Sequence, residues 1–109
     1  EVVICGVEIA GEARVEIEVI KDKNINNPMV EDQEAFYTIA SAENLDQATK
    51  RASDDMFKFL KDRIDLPANE LAMLMSLICD LEICQVVDPA KTARMRLDKK
   101  ALENYELNF

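Results

Sequence analysis

Between Val7 and Ile20 apolar and polar residues alternate one by one. Val7, Ile9, Ala13, Val15, Ile17 and Val19 fall on one side, with Gly11 in register among them, and Glu8, Glu12, Arg14, Glu16 and Glu18 fall on the other. Successive side chains of a strand point to opposite faces, so this period predicts a long strand with one wet face, kinked at Gly11. Its glutamate row reads as a solubilising face that keeps sheet edges apart. Glu1–Cys5 reads as a further short strand closed by a turn at Gly6. Lys21-Asp22-Lys23-Asn24 predicts a turn within a polar, irregular stretch over residues 21–34. Ala35–Ser41, rich in aromatic and β-branched residues, predicts another strand.

The period then changes to that of a helix. Leu45, Ala48, Ala52, Met56, Phe59, Leu60 and Ile64 form one stripe, with Asn44 as the cap and Gln47 placed to answer it. Asp46–Lys50 and Asp54–Lys58 are spaced as i,i+4 pairs on the outer face, and Lys61 and Arg63 suit the negative end. A second helix starts at Pro67. From Leu71 to Cys79 only Ser76 is polar, which predicts burial nearly all round. Leu81–Val87 alternates as a strand, Asp88-Pro89-Ala90-Lys91 turns the chain, and Thr92–Leu97 returns with Ala93, Met95 and Leu97 inward. Lys99–Phe109 is a mostly polar tail. The expected order is β-β-β-α-α-β-β, an α+β fold with a mostly antiparallel sheet and two helices on one face.

With 109 residues, two glycines, three prolines and no internal repeat, the chain reads as one domain, residues 1–109. The net charge of −9 argues against a nucleic acid or an anionic membrane as partner. The longest apolar run, Leu71–Met75, is far short of the roughly 18 residues of a membrane span. No signal-peptide pattern is present, and Cys5, Cys79 and Cys84 are odd in number, each in an apolar stretch. They read as reduced core residues of a cytoplasmic protein. With no histidine, no His-based zinc site, Ser-His-Asp triad or Cys-His pair can be built from this chain alone.

Two polar residues break the apolar pattern near the second helix. Asp80 follows that helix, where its charge meets the negative helix end. Gln85 shares the inward face of a strand with Leu81, Ile83 and Val87, where an amide needs hydrogen-bond partners. Ser76 lies one helical turn before Asp80. The three read either as a polar network pinning the helix–strand turn or as support for an active site. No Gly-rich phosphate loop, EF-hand, nucleophile elbow or Walker motif occurs.

Several segments together resemble the C-terminal part of the acetamidase/formamidase family. They are Cys5-Gly6-Val7-Glu8-Ile9-Ala10-Gly11-Glu12, Pro28-Met29-Val30-Glu31-Asp32, Thr38-Ile39-Ala40, Leu45-Asp46-Gln47-Ala48 and, most specific, Ser76 through Pro89 followed by Lys91-Thr92 and Arg94. The resemblance implies a hydrolase that splits short non-peptide amides, such as formamide or acetamide, to ammonia and the acid. It implies a chain roughly three times this long, whose β-rich N-terminal segment carries histidines, and a divalent metal ion (zinc or similar) that assists hydrolysis. Glu1 matches the last residue of a Gly-Asp-Gly-Glu segment and is the one direct candidate, as metal ligand or general base. The missing N-terminal segment, a small amide substrate and a homo-oligomer are the implied partners, and the fragment alone is expected to be inactive. The polar stretch 24–34 and the tail after Lys99 are expected to pack on that absent segment or on another subunit. The alternative reading is a free-standing α+β module that binds a ligand or mediates oligomerisation without catalysis.

Overall fold

A helix lined with alanine can sit close to a sheet, and the longest helix does so. In the computed structural model, which describes residues 1–107, α1 spans Leu45–Lys61. Asn44, in extended backbone, caps it by accepting a hydrogen bond from the Gln47 amide at 3.0 Å. The cap thus satisfies a donor that the helix cannot. Ala48, Ala52, Met56, Leu60 and, just beyond, Ile64 are buried, as the stripe predicts. The outer-face ion pairs differ from expectation: Lys50 pairs with Asp54 at 2.7 Å and Lys58 with Asp55 at 3.9 Å. Exposed pairs are worth only tenths of a kcal/mol, so which neighbour a lysine reaches is weakly determined.

Among the described residues four strands form the sheet: β1 (Met29–Glu31), β2 (Ala35–Ala42), β3 (Cys79–Gln85) and β4 (Lys91–Asp98). Their spatial order is β1-β2-β4-β3, with every pairing antiparallel. Helix α1 crosses the two central strands, and α2 (Ala68–Ile78) packs beside it. The fold is α+β, with chain order β-β-α-α-β-β. The core joins Phe36 and Ala40 of β2 and Met95 and Leu97 of β4 to Met56 and Leu60 of α1 and Leu71 and Met75 of α2. Within this layer Thr38 is fully buried, and its hydroxyl donates to the Ala52 carbonyl at 2.7 Å.

The expected long strand over residues 7–20 does not form. Its residues join no ladder, and every one of its side chains is exposed, the apolar row included. A strand is held by hydrogen bonds to a neighbour, and among the described residues none lies alongside. The short strand expected at Glu1–Cys5 is likewise absent, except that Glu1 itself bonds to the edge of β3. The turn after Ile20 is present, with Asp22 at φ 62°, a left-handed conformation that Asp tolerates.

Further expectations are corrected. Helix α2 is not buried all round: Leu71 and Met75 enter the core, while Met73 and Leu77 stay exposed, because only one side meets α1 and the sheet. The stretch 21–34 is not wholly irregular, although most of its residues are exposed. Met29–Glu31 pairs with β2, and Asn27 donates to the Asp55 carboxylate at 2.6 Å. The tail after Lys99 closes the core, with a 3₁₀ turn over Lys99–Leu102 that buries Leu102 and with Tyr105 and Leu107 packed against it; residues 108–109 lie outside the described residues. Cys5 is exposed rather than buried, and Cys79 and Cys84 are half-buried; all three are free thiols.

Candidate functional site

Gln85 ends β3 at a bulge, where the ladder with β4 slips by one residue. The slip sets Gln85 opposite Thr92, on the face of the sheet away from the helices, and not inward beside Ile83. Its amide group is well used there. The Nε2 donates to the Ala90 carbonyl and, at 3.3 Å, to the Thr92 hydroxyl, while Oε1 accepts from the Val87 and Asp88 amides at 3.0 Å each. One side chain therefore ties down the whole β3–β4 turn.

Glu1 docks beside this corner. Its N-terminal nitrogen donates to the Cys84 carbonyl at 2.6 Å, and its own carbonyl accepts from the Val86 amide at 3.0 Å. The Glu1 side chain is exposed. Of the four residues that the sequence singles out, the structure thus brings Glu1 and Gln85 together. Asp80 stands at the opposite end of β3, exposed, in register with Arg96. Ser76 lies on α2 and donates to the Ala72 carbonyl of its own helix at 3.1 Å. It lines a groove of about 350 Å³ together with Ser53, Phe57, Ala72, Cys79 and Leu81. Burial pushes the Cys79 thiol up to about 11, with the adjacent Asp80 charge adding to the effect, so this thiol stays protonated at neutral pH. A second cleft, of about 440 Å³, lies between residues 23–29 and α1, with Asn26, Asp55, Lys58 and Phe59 in its walls.

The helix-free face of the sheet carries a polar network that the sequence reading did not single out. The Tyr37 hydroxyl donates to Asp32 at 3.0 Å, and the Arg94 guanidinium lies 4.7 Å from the centre of the Tyr37 ring. Arg94 also pairs with Glu82, and Arg96 with Asp98 at 2.7 Å and Glu34 at 3.9 Å. Amides of Ala35 and Glu34 donating to Asp32, with Tyr37 and Arg96 assisting, hold its carboxyl below the usual range. The hydrogen bond that Arg96 donates to Asp98 raises Arg96. The signal for this network was the outward alternation of Thr92, Arg94 and Arg96, which becomes a row of charges once β2 and β3 flank β4.

Among the described residues no three His, Cys, Asp or Glu side chains converge as a metal site would require. The donors in this chain therefore do not by themselves fit the divalent ion that the resemblance implies, and the chemistry open to Glu1 here is that of one exposed carboxylate: to accept and return a proton.

The arrangement has close counterparts among solved structures. A predicted acetamidase/formamidase from the thermophile Thermoanaerobacter tengcongensis shares 44% identity with a TM-score of 0.74 over 83% of this chain. The chain belongs to the acetamidase/formamidase family. The acetamidase of Bacillus halodurans shares 42% identity over 71% of the chain (TM-score 0.66), and that of Yersinia enterocolitica shares 29% over 76% (TM-score 0.71). These matches cover only 30%, 26% and 25% of the three solved chains, so the family resemblance extends over less than a third of their length. No family model and no curated protein matches the sequence. Among the described residues no helix is long and apolar enough to cross a membrane.

Proposed function

We propose that this chain is a single α+β domain forming the C-terminal part of an amide hydrolase that converts short non-peptide amides, such as formamide or acetamide, to ammonia and the acid. The observation that carries the reading is the 44% identity and TM-score of 0.74 with an acetamidase/formamidase over 83% of the chain. In this reading the complete protein is a cytoplasmic homo-oligomer, and its β-rich N-terminal segment brings the histidines and any divalent metal site. Glu1 is the residue of this chain that reaches the reacting centre. Its carboxylate takes a proton from the attacking water as oxygen bonds to the amide carbon, then returns it to nitrogen as the C–N bond breaks. Gln85 is a positioning residue: by fixing the turn after β3 it fixes the edge on which Glu1 docks.

The test is ammonia release from formamide and acetamide by the complete protein. Hydrolysis that Glu1→Gln lowers by about two orders of magnitude, in keeping with loss of a general base, is the expected result. Amidase activity in the 109-residue chain alone would refute the assignment of the remaining machinery to the missing segment.

A further inference from the structure

Strand β3 is an edge of the sheet, and its helix-side residues are poorly covered: Leu81 is 51% and Ile83 54% exposed, beside the buried Met95 and Ala93 of β4. Bare edges with apolar side chains invite pairing, and folded proteins cover them. The bonds at Glu1 mark where a chain enters this edge. The Glu1 nitrogen donates to Cys84, and Val86 donates back to the Glu1 carbonyl. These two slanted bonds straddle Gln85 in the pattern of a parallel ladder, with Glu1 opposite Gln85. A chain that continued the ladder backwards from Glu1 would run along β3 towards Cys79; because the bulge puts Gln85 and Ile83 on opposite faces, its first and third residues before Glu1 would share the helix-side face, beside Ile83 and Leu81.

We propose that the residues immediately preceding Glu1 in the complete protein form a fifth strand, parallel to β3 on its outer edge, which covers Leu81 and Ile83. The inference rests on the reading of the chain as part of a longer protein, since the matched region makes up less than a third of each solved relative. Parallel neighbours cannot be joined by a tight hairpin and need a crossover of a dozen residues or more. The stretch from Glu1 to Cys79, with both helices in it, provides that crossover. The direction of the ladder also selects the occupant, because the polypeptide entering Glu1 already lies on this edge, ahead of any second copy.

Paired cysteines in the complete protein test the register. Leu81→Cys is combined with a cysteine at the third residue before Glu1, and separately with one at the fourth, and each variant is treated with dibromobimane and mapped by peptide mass spectrometry. The expected result is an intramolecular adduct about tenfold more abundant for the third residue than for the fourth, since one step of register turns a side chain to the other face. Equal yields, or an adduct joining two chains, would overturn the proposal. Should the variants fail to fold, amide exchange in the unaltered complete protein decides: slow exchange at the β3 amides that point away from β4 supports the ladder, and exchange as fast as in an exposed loop rejects it. Ammonia release is read separately. A correct adduct without hydrolysis leaves the strand standing and removes the amidase reading, and hydrolysis without the adduct does the reverse.

Discussion

The hydroxyl of Thr38, fully buried on the central strand β2, donates to the carbonyl of Ala52 on α1 at 2.7 Å and so pins the helix to the sheet. Thr38→Val keeps the shape and loses the bond, and should lower unfolding free energy by about 0.5–1.5 kcal/mol. Thr38→Ala also removes a methyl group from a packed layer and should cost more. Urea unfolding of the two variants measures the order; a Val variant as stable as the parent would remove the bond from any stabilising role.

Gln85 makes its contacts within the turn that follows it, to Val87, Asp88, Ala90 and Thr92. Gln85→Ala should loosen this turn while leaving the α1 core intact, at a cost of about 1 kcal/mol. Exchange of the Val87 and Asp88 amides should accelerate selectively. Uniform acceleration across the sheet would show instead that Gln85 supports the whole domain.

Asp32 and Tyr37 set the edges of a stability plateau. Backbone amides of Ala35 and Glu34 lower the Asp32 carboxyl from its ordinary 3.8, so its contribution is in place above that value and fades as pH falls through the lower folded value. Burial, then the bond to Asp32, raises the Tyr37 phenol from 10.0, so its contribution is full below that pH and is lost as pH rises through the higher folded value. Asp32→Asn should therefore flatten the acid limb of a stability–pH curve measured by urea unfolding. An unchanged slope between pH 2 and 5, the range roughly spanned by carboxylate titration, would count against Asp32.

Thiol reactivity should be ordered by burial. Cys5 is exposed, whereas Cys79 is half-buried with its thiol raised to about 11. Iodoacetamide at neutral pH should label Cys5 first and Cys79 only after unfolding, because the thiolate is the reacting form. Mass spectrometry of partly labelled protein gives the order directly, and early labelling of Cys79 would show that its groove opens in solution.

Local patterns carried the elements that close on themselves. Asn44, Gln47 and the stripe from Ala48 to Ile64 specified α1, cap included, because a helix makes its bonds within its own segment. The alternation of Ala93, Met95 and Leu97 likewise marked the inner face of β4. The row from Val7 to Val19 has an equally clear period yet no ladder, because a strand also needs a neighbour, which a one-dimensional pattern does not contain. The same limit governs Met73 and Leu77, whose apolar character says nothing about whether a surface lies opposite. In the candidate site, Gln85 was visible as a polar residue in an apolar run, but the bulge that turns it to the outer face was not. The meeting of Glu1 with Gln85 depends on two residues far apart in the chain, and no spacing rule could have shown it.

The central pair of the sheet sets the timing of synthesis. Ala35–Ala42 pairs with Lys91–Asp98, so both helices and an outer strand are translated between the two halves of the ladder. While the ribosome is still adding those residues, the alanine seam of α1 has half a sheet to rest on, and Phe36 and Met56 lack the Leu97 and Met95 that finish their enclosure. Long-range pairing of this kind is slow to nucleate and leaves apolar surface open in the interim. Until Asp98 has cleared the exit tunnel the nascent chain leaves these apolar residues open, and a translational pause placed just before Lys91 would prolong that interval.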